Sequence, residues 1–148
     1  MKQIVDIAVY SPDDRLKLIV EVKNYRNATD EWAAKLRRNL LVDGFIPASE
    51  FFLLVLPEYS YLWRGCESLD AVPADYKFST KDVLRLRGDT ANPDKLSSFG
   101  LELLTSSWLN ALAVSQVSRG EVPGLDWIFD SGLYDSIKDG SVKVESEL

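Results

Sequence analysis

The first half of the chain begins with two short apolar segments that a turn separates. Residues 4–10 and 16–23 are rich in β-branched and apolar types, as strands are. Between them, residues 11–14 read Ser-Pro-Asp-Asp, a sequence that favours a β-turn. The pattern therefore predicts a β-hairpin at the start of the chain.

A helix and two further strands are predicted after the hairpin. Thr29 is a suitable N-cap, and the periodic segment from Trp32 to Val42 ends just before Gly44, a residue type favoured after a helix. Residues 51–56 are a short apolar run typical of a buried strand, and residues 59–63 alternate as a neighbouring strand would. The predicted order is β, β, α, β, β.

The second half of the chain has weaker patterns. Residues 66–95 are irregular and polar, with a short helix predicted near residues 81–86 and a loop at residues 75–77. Residues 96–117 have the clearest helical periodicity, one or two short helices are predicted within residues 127–137, and residues 142–144 suit a terminal strand. Together the patterns predict an α/β fold with a mixed central sheet of four or five strands flanked by helices.

Composition limits the class of protein. The chain has 148 residues, 46% of them hydrophobic, which suits a single domain spanning residues 1–148 with one core. No apolar run approaches the roughly 20 residues that span a bilayer, and no secretory signal is visible, so we expect a cytoplasmic protein without a membrane partner. The lone Cys66 cannot form an internal disulfide, and we assign it no role.

The absence of histidine removes several kinds of chemistry. Common zinc sites and the Ser/His and Cys/His nucleophile pairs all need an imidazole. Carboxylates and lysines remain, and they favour a hard cation such as Mg²⁺ held by oxygen ligands. The net charge of −6 arises in the second half, because residues 1–65 carry nine basic and nine acidic side chains. A phosphate-facing surface is therefore expected in the first half.

Three charged residues occupy unusual positions in the hairpin. Asp6 is the single charge of the first strand, and Glu21 and Lys23 end the apolar run of the second. An ionised group in a buried strand needs a partner, a metal or a shifted pKa. Glu21 and Lys23 share a strand face, and a turn centred within residues 11–14 would bring Asp6 opposite residue 19 or 20, as a near-diagonal neighbour of Glu21.

Asp6 followed by Glu21-Val22-Lys23 resembles the Asp…Glu-x-Lys signature of the PD-(D/E)XK nuclease superfamily, which has the restriction-endonuclease-like fold. Residues 31–41 also resemble small bacterial proteins assigned to that superfamily. The resemblance implies that Asp6, Glu21 and the backbone carbonyl of Val22 hold Mg²⁺, or Mn²⁺ in its place, and that Lys23 is the catalytic lysine. It implies hydrolysis of phosphodiester bonds in DNA or a related nucleic acid.

The resemblance covers the first half of the chain and departs from the family in two respects. Val5 stands where the family often has Pro. Residues 1–65 would form the nuclease-like core, and residues 66–148 a helical extension packing on it. The helix that usually opens the family's core, and that often lends a further acidic residue, is missing. Later helices replace it, a partner subunit does, or the site is a relic. We therefore expect a homodimer, or cover from residues 96–138, and the alternative function is an inactive interaction or dimerisation module.

Candidate contacts to a nucleic acid lie close to the hairpin. Arg26 follows the lysine strand and is the best phosphate candidate, whereas Lys35 and Arg38 on the first helix also suit a solvated helix face. Three aromatic residues of the fourth element, Tyr59, Tyr61 and Trp63, would share one strand face. They could stack on bases, but packing in the core or an interface is favoured.

Overall fold

The computed structural model describes residues 3–65, 70–85, 97–121 and 124–148, and it has an α/β architecture around one mixed sheet. The strands are β1 (Ile4–Tyr10), β2 (Leu16–Val22), β3 (Phe51–Val55), β4 (Tyr59–Arg64), β5 (Tyr76–Ser79) and β6 (Ser141–Glu147). The helices are α1 (Asp30–Val42), α2 (Thr80–Arg85), α3 (Ser98–Val114), α4 (Asp126–Asp130) and α5 (Leu133–Ile137). The strand order across the sheet is β5-β4-β3-β2-β1-β6. Strands β2 and β3 pair in parallel, and the other neighbours pair antiparallel.

The predicted hairpin is confirmed, but its register differs from the predicted one. Ile7 pairs with Val20, and the pairing shifts by one residue close to the turn. Such a bulge adds one residue to one strand and moves every later pair. Continuing the register past Ile7 therefore sets Asp6 opposite Glu21, and the expectation of residue 19 or 20 was wrong.

The predicted first helix is confirmed as α1. The hydroxyl of Thr29 accepts a hydrogen bond from the backbone N–H of Trp32 at 3.0 Å, as an N-cap should. Helix α1 buries Ala33 and Ala34 against one face of the sheet. That face presents Ala8, Ile19, Phe52, Leu54, Tyr61 and Trp63. One core layer therefore lies between α1 and the sheet.

The other face of the sheet is covered by the second half of the chain. Helix α3 buries Leu101, Trp108, Leu109 and Leu112, and α5 buries Leu133 and Ile137. They pack on β1, β2 and β3 side chains that include Ile7, Val9, Leu18, Val20, Val22 and Leu53. This is the cover from residues 96–138 that we expected as one of two options, while the homodimer stays a prediction.

Several sequence predictions for the second half need correction. Residues 75–77 were expected in a loop, but Tyr76–Ser79 forms β5 at one edge of the sheet. The terminal strand spans Ser141–Glu147 and forms the other edge, so the sheet has six strands rather than four or five. Edge strands are exposed on one side and carry few apolar residues, which is why their pattern was weak. Residues 66–148 thus supply both edges of the sheet as well as helices.

The remaining helix predictions are confirmed where they can be compared. The short helix expected near residues 81–86 is α2, the long helix expected at 96–117 is α3, and the segment 127–137 holds α4 and α5. Cys66, Leu86 and Leu96 lie outside the described residues. Within the described part of the chain, none of the helices combines the length and the apolar character that a bilayer crossing needs.

Candidate active site

The β1–β2 ladder ends in hydrogen bonds between side chains and backbone. The backbone N–H of Asp6 donates to Oε2 of Glu21 at 3.1 Å, and the backbone N–H of Val22 donates to Oδ2 of Asp6 at 2.7 Å. In a regular sheet the N–H groups of a strand donate to carbonyls of its two neighbouring strands. Here the two carboxylates take over that role, which fixes Asp6 and Glu21 against each other at the strand ends.

Glu21 is a buried carboxyl with another carboxyl as its neighbour. Its residue is 6% exposed, and it lies on the same strand face as Ile19, under α1. Burial raises the pKa of Glu21 to about 8, and the side-chain hydrogen bond with Asp6 and the charge of Asp6 add to the increase, whereas the hydrogen bond from the backbone N–H of Asp6 opposes it. The charge of Lys23 lowers the pKa of Glu21, but it is a smaller effect than burial.

Lys23 lies beside Glu21, just past the end of β2. Its backbone N–H donates to the carbonyl of Val55 at 3.0 Å, so the parallel pairing with β3 continues through this residue. Extended residues two apart share a face, and Lys23 therefore points to the same side as Glu21. The side chain is half-buried. The structure thus brings Asp6, Glu21 and Lys23 together at one end of the sheet, and their catalytic and ligand roles stay predictions.

Two further acidic residues approach Asp6 from α3 and β6. Carboxylate oxygens of Asp6, Glu102 and Glu145 all lie within 4.8 Å of one another. Desolvation raises the pKa of Glu102 to about 7, and the hydrogen bond and charge of Glu145 and the charge of Asp6 add to the increase. We call Asp6, Glu21, Glu102 and Glu145 the carboxylate cluster, and Asp6 is the member that contacts the acids on both sides.

Sequence reasoning missed Glu102 and Glu145, although one signal was present. Glu102 is the sole charged residue of α3, which is otherwise apolar or uncharged from Ser98 to Val114. The same isolation drew attention to Asp6 in β1. Glu145 gave no such signal, because β6 alternates charged and uncharged residues as an exposed edge strand does. Its backbone has φ = 46°, an uncommon value for a residue other than glycine.

The candidate phosphate contacts lie on the loop after β2 and on α1. Arg26 is exposed on the loop that joins β2 to α1. Lys35 is exposed and lines a shallow cavity with Asp30 and Glu31 at the start of α1. The guanidinium of Arg38 donates to the side-chain oxygen of Asn39, the next residue along the helix. Their binding of nucleic acid stays a prediction.

The site was also compared with known proteins. No family model matches the chain, and no curated protein and no solved structure matches it. The resemblance to the PD-(D/E)XK superfamily therefore rests on Asp6, Glu21, Val22 and Lys23 and on the hairpin that carries them.

Proposed function

We propose that this protein hydrolyses phosphodiester bonds of a nucleic acid with the help of a divalent cation. The observation that carries the proposal is the end of the hairpin, where Asp6 and Glu21 are fixed in contact and Lys23 lies on the same face as Glu21. Glu102 of α3 adds an acid next to Asp6. In the family, the opening helix often lends such an acid. In this protein α3, a later helix, would supply it.

The residues of the carboxylate cluster suit a hard cation. Mg²⁺ and Mn²⁺ bind carboxylate oxygens, and three acids with oxygens within 4.8 Å of one another can share such an ion. The raised pKa values of Glu21 and Glu102 reflect acids held out of water next to other acids. A bound cation would favour their ionised forms. The resemblance assigns the ion to Asp6, Glu21 and the carbonyl of Val22, whereas the oxygens grouped closely enough to share an ion are those of Asp6, Glu102 and Glu145, so Asp6 would be a ligand in either arrangement.

The chemistry divides between the cation and the lysine. A divalent ion supplies a water of lowered pKa and polarises a phosphoryl oxygen. Lys23 would hold the phosphate and offset the negative charge that develops on it, because pairing with β3 holds its backbone next to Glu21 and its side chain is on the same face.

An inactive module is the second candidate, and a specific observation favours it. The side-chain oxygens of Asp6 and Glu21 already accept backbone hydrogen bonds from each other's strands. A protonated Glu21 and an ionised Asp6 could satisfy one another without any ion. In that case the cluster would only terminate the hairpin, and the fold would serve as a binding surface.

Cleavage assays on single-stranded, duplex and branched DNA and RNA separate the two candidates. We expect the wild-type protein to cut at least one of these substrates with Mg²⁺ or Mn²⁺ and none with EDTA, and Asp6→Ala to cut none. Asp135→Asn is the control, because it also removes one exposed carboxylate but lies on α5. Loss of cutting only in Asp6→Ala supports the enzyme. No cutting of any substrate by the wild-type protein with either ion contradicts it.

A further inference from the structure

A groove with aromatic walls lies next to Lys23, between the loop after β2 and the β3–β4 turn. Its volume is about 270 Å³. The residues that line it are Tyr25, Asn27, Ala28, Leu56, Glu58, Tyr59 and Tyr61. We call it the tyrosine groove. No part of the proposed hydrolysis uses it.

Two exposed rings form its walls. Tyr25 is 47% exposed and stacks on Trp32 with ring centroids 4.3 Å apart and planes within 5°, so one face is covered and the other is turned to the groove. Tyr59 is 45% exposed, and the ammonium group of Lys77 lies 4.3 Å from its ring centroid. Packing in the core or an interface was expected for both Tyr59 and Tyr61, and of the two only Tyr61 is buried in the core.

A hydrogen bond between the loop and the turn holds the two sides of the groove together. The N–H of Asn27 donates to Oε1 of Glu58 at 2.8 Å, which ties the loop to the β3–β4 turn. Asn27 has φ = 60°, a left-handed conformation that asparagine adopts more readily than most residues. Leu56 is buried below the opening.

The dimensions suit one nucleobase. The groove has a volume of about 270 Å³. It is below the size of pockets that enclose a drug-sized ligand, so a whole nucleotide would leave its sugar and phosphate outside. Stacking on aromatic side chains is how proteins hold the bases of single strands. The carboxylate of Glu58 and the amide of Asn27 add polar groups at the rim, where the edge of a base would lie.

The groove lies where a neighbouring base would reach. Tyr25 is two residues beyond Lys23, and two extended residues span at most about 7 Å between Cα atoms. Two cationic residues lie on the same loop: Lys23 and Arg26. They suit the phosphates on either side of a base held in the groove, since backbone phosphates are the main electrostatic contact of nucleic-acid binders.

We propose that the tyrosine groove holds an unpaired base and makes the substrate a single strand or the frayed end of a duplex. The inference rests on the proposed hydrolysis, because it places the base next to the phosphate at Lys23. A paired base is excluded, since a base that enters the groove and stacks on Tyr25 or Tyr59 must leave its partner base.

Binding of labelled oligonucleotides tests this without cleavage. Fluorescence anisotropy with EDTA present would compare a single-stranded twelve-residue oligothymidylate with a blunt duplex of the same length. We expect tighter binding of the single strand. Tyr25→Ala and Tyr59→Ala should each weaken it about tenfold, which is about 1.4 kcal/mol, while Tyr25→Phe and Tyr59→Phe should retain binding within about twofold. Phe45→Ala is the control, because Phe45 is 53% exposed but does not line the groove.

The outcomes separate this inference from the proposed hydrolysis. The protein could cut in a cation-dependent way while both alanine variants bind the single strand as the wild type does. That result overturns the role of the groove and leaves the proposed hydrolysis standing. Tyrosine-dependent binding without cutting overturns the enzyme and supports a single-strand binding module. Equal affinity for the duplex and the single strand, or no binding of either, contradicts the groove. Thermal melting of the alanine variants should match that of the phenylalanine variants, so that a folding defect is recognised.

Discussion

Two regions of this molecule shift the pKa values of their acidic residues in opposite directions. At the start of α1, Asp30 accepts hydrogen bonds from the hydroxyl of Tyr61 at 3.0 Å and from the ammonium group of Lys77 at 2.9 Å. These partners lower the pKa of Asp30. In the carboxylate cluster the nearest partners of Glu21 and Glu102 are other acids, and both pKa values are raised. The first region is complete without a ligand, whereas the second gains from a positive one.

The backbone hydrogen bonds also differ between the two regions. Lys77 lies opposite Tyr61 in an unbroken antiparallel pairing of β4 and β5, so the ion pair forms without interrupting the pairing of these strands. At the ends of β1 and β2, the carboxylates of Asp6 and Glu21 each accept a hydrogen bond from a backbone N–H of the other strand. Local departures from regular structure are often retained for function. The difference supports the view that the hairpin end is shaped for a ligand rather than for stability.

The largest effect is expected for Lys23, the cationic residue next to the carboxylate cluster. Lys23→Ala should reduce the rate of cutting by about 100-fold or more, because it removes a charge fixed next to the reacting phosphate. Binding of Mn²⁺ should change little, since the lysine is not a ligand. Lys138→Ala on the helix α5 side of the molecule is the matched control. Equal rates in the two variants would remove Lys23 from the mechanism.

A smaller effect concerns the pH dependence of stability without a cation. The pKa of Glu21 is raised from 4.5 to about 8, so below pH 4.5 the group is protonated in both the folded and unfolded states. As the pH rises toward 8, the unfolded state loses the proton first and the folded state is destabilised relative to it. Glu21→Gln should therefore gain about 1–3 kcal/mol in free energy of unfolding over the wild type between pH 5 and pH 9.

Urea unfolding at several pH values, with EDTA present, measures that difference. Asp135→Asn is again the control, because its carboxyl is 78% exposed on α5. A constant offset between Glu21→Gln and the wild type across this range would mean that Glu21 titrates alike in both states. Mg²⁺ should reduce the offset at pH 8, since it binds the ionised form.

The smallest effect on stability is expected in the first region, around Asp30 and Lys77. Lys77→Ala should lower the free energy of unfolding by less than about 1 kcal/mol, because the side chains of Lys77 and Asp30 are 42% and 62% exposed. The loss should shrink as salt is added. A loss of several kcal/mol in urea unfolding would contradict the view that this pair is an ordinary surface contact.

Local patterns allowed prediction of the first half of the fold. The hairpin, α1, β3 and β4 each carry their own apolar periodicity, cap or turn, so their positions follow from neighbouring residues. The register of the hairpin did not follow, because a single bulged residue near the turn shifts every pair beyond it. Of the edge strands, β5 was expected to be a loop and β6 was predicted only over residues 142–144, since half-exposed strands need few apolar residues.

The candidate site was predictable only as far as it is local. Asp6, Glu21 and Lys23 lie on one hairpin and were identified from sequence spacing. Glu102 and Glu145 reach Asp6 across the fold, and such long-range contacts depend on how α3 and β6 dock on the sheet. Tyr25 and Tyr59 likewise form a groove only because a loop and a turn meet.

Calorimetric titration of Mn²⁺ at pH 7 in two buffers of different ionisation enthalpy tests the central claim most directly. The pKa values of Glu21 and Glu102 are about 8 and about 7, so both groups are partly protonated at this pH, and ion binding should release protons. We expect saturable binding with proton release in the wild type, weaker binding in Glu102→Gln, and none in Asp6→Asn. Absence of binding in the wild type, or equal binding in Asp6→Asn, would contradict a cation site at the end of the hairpin.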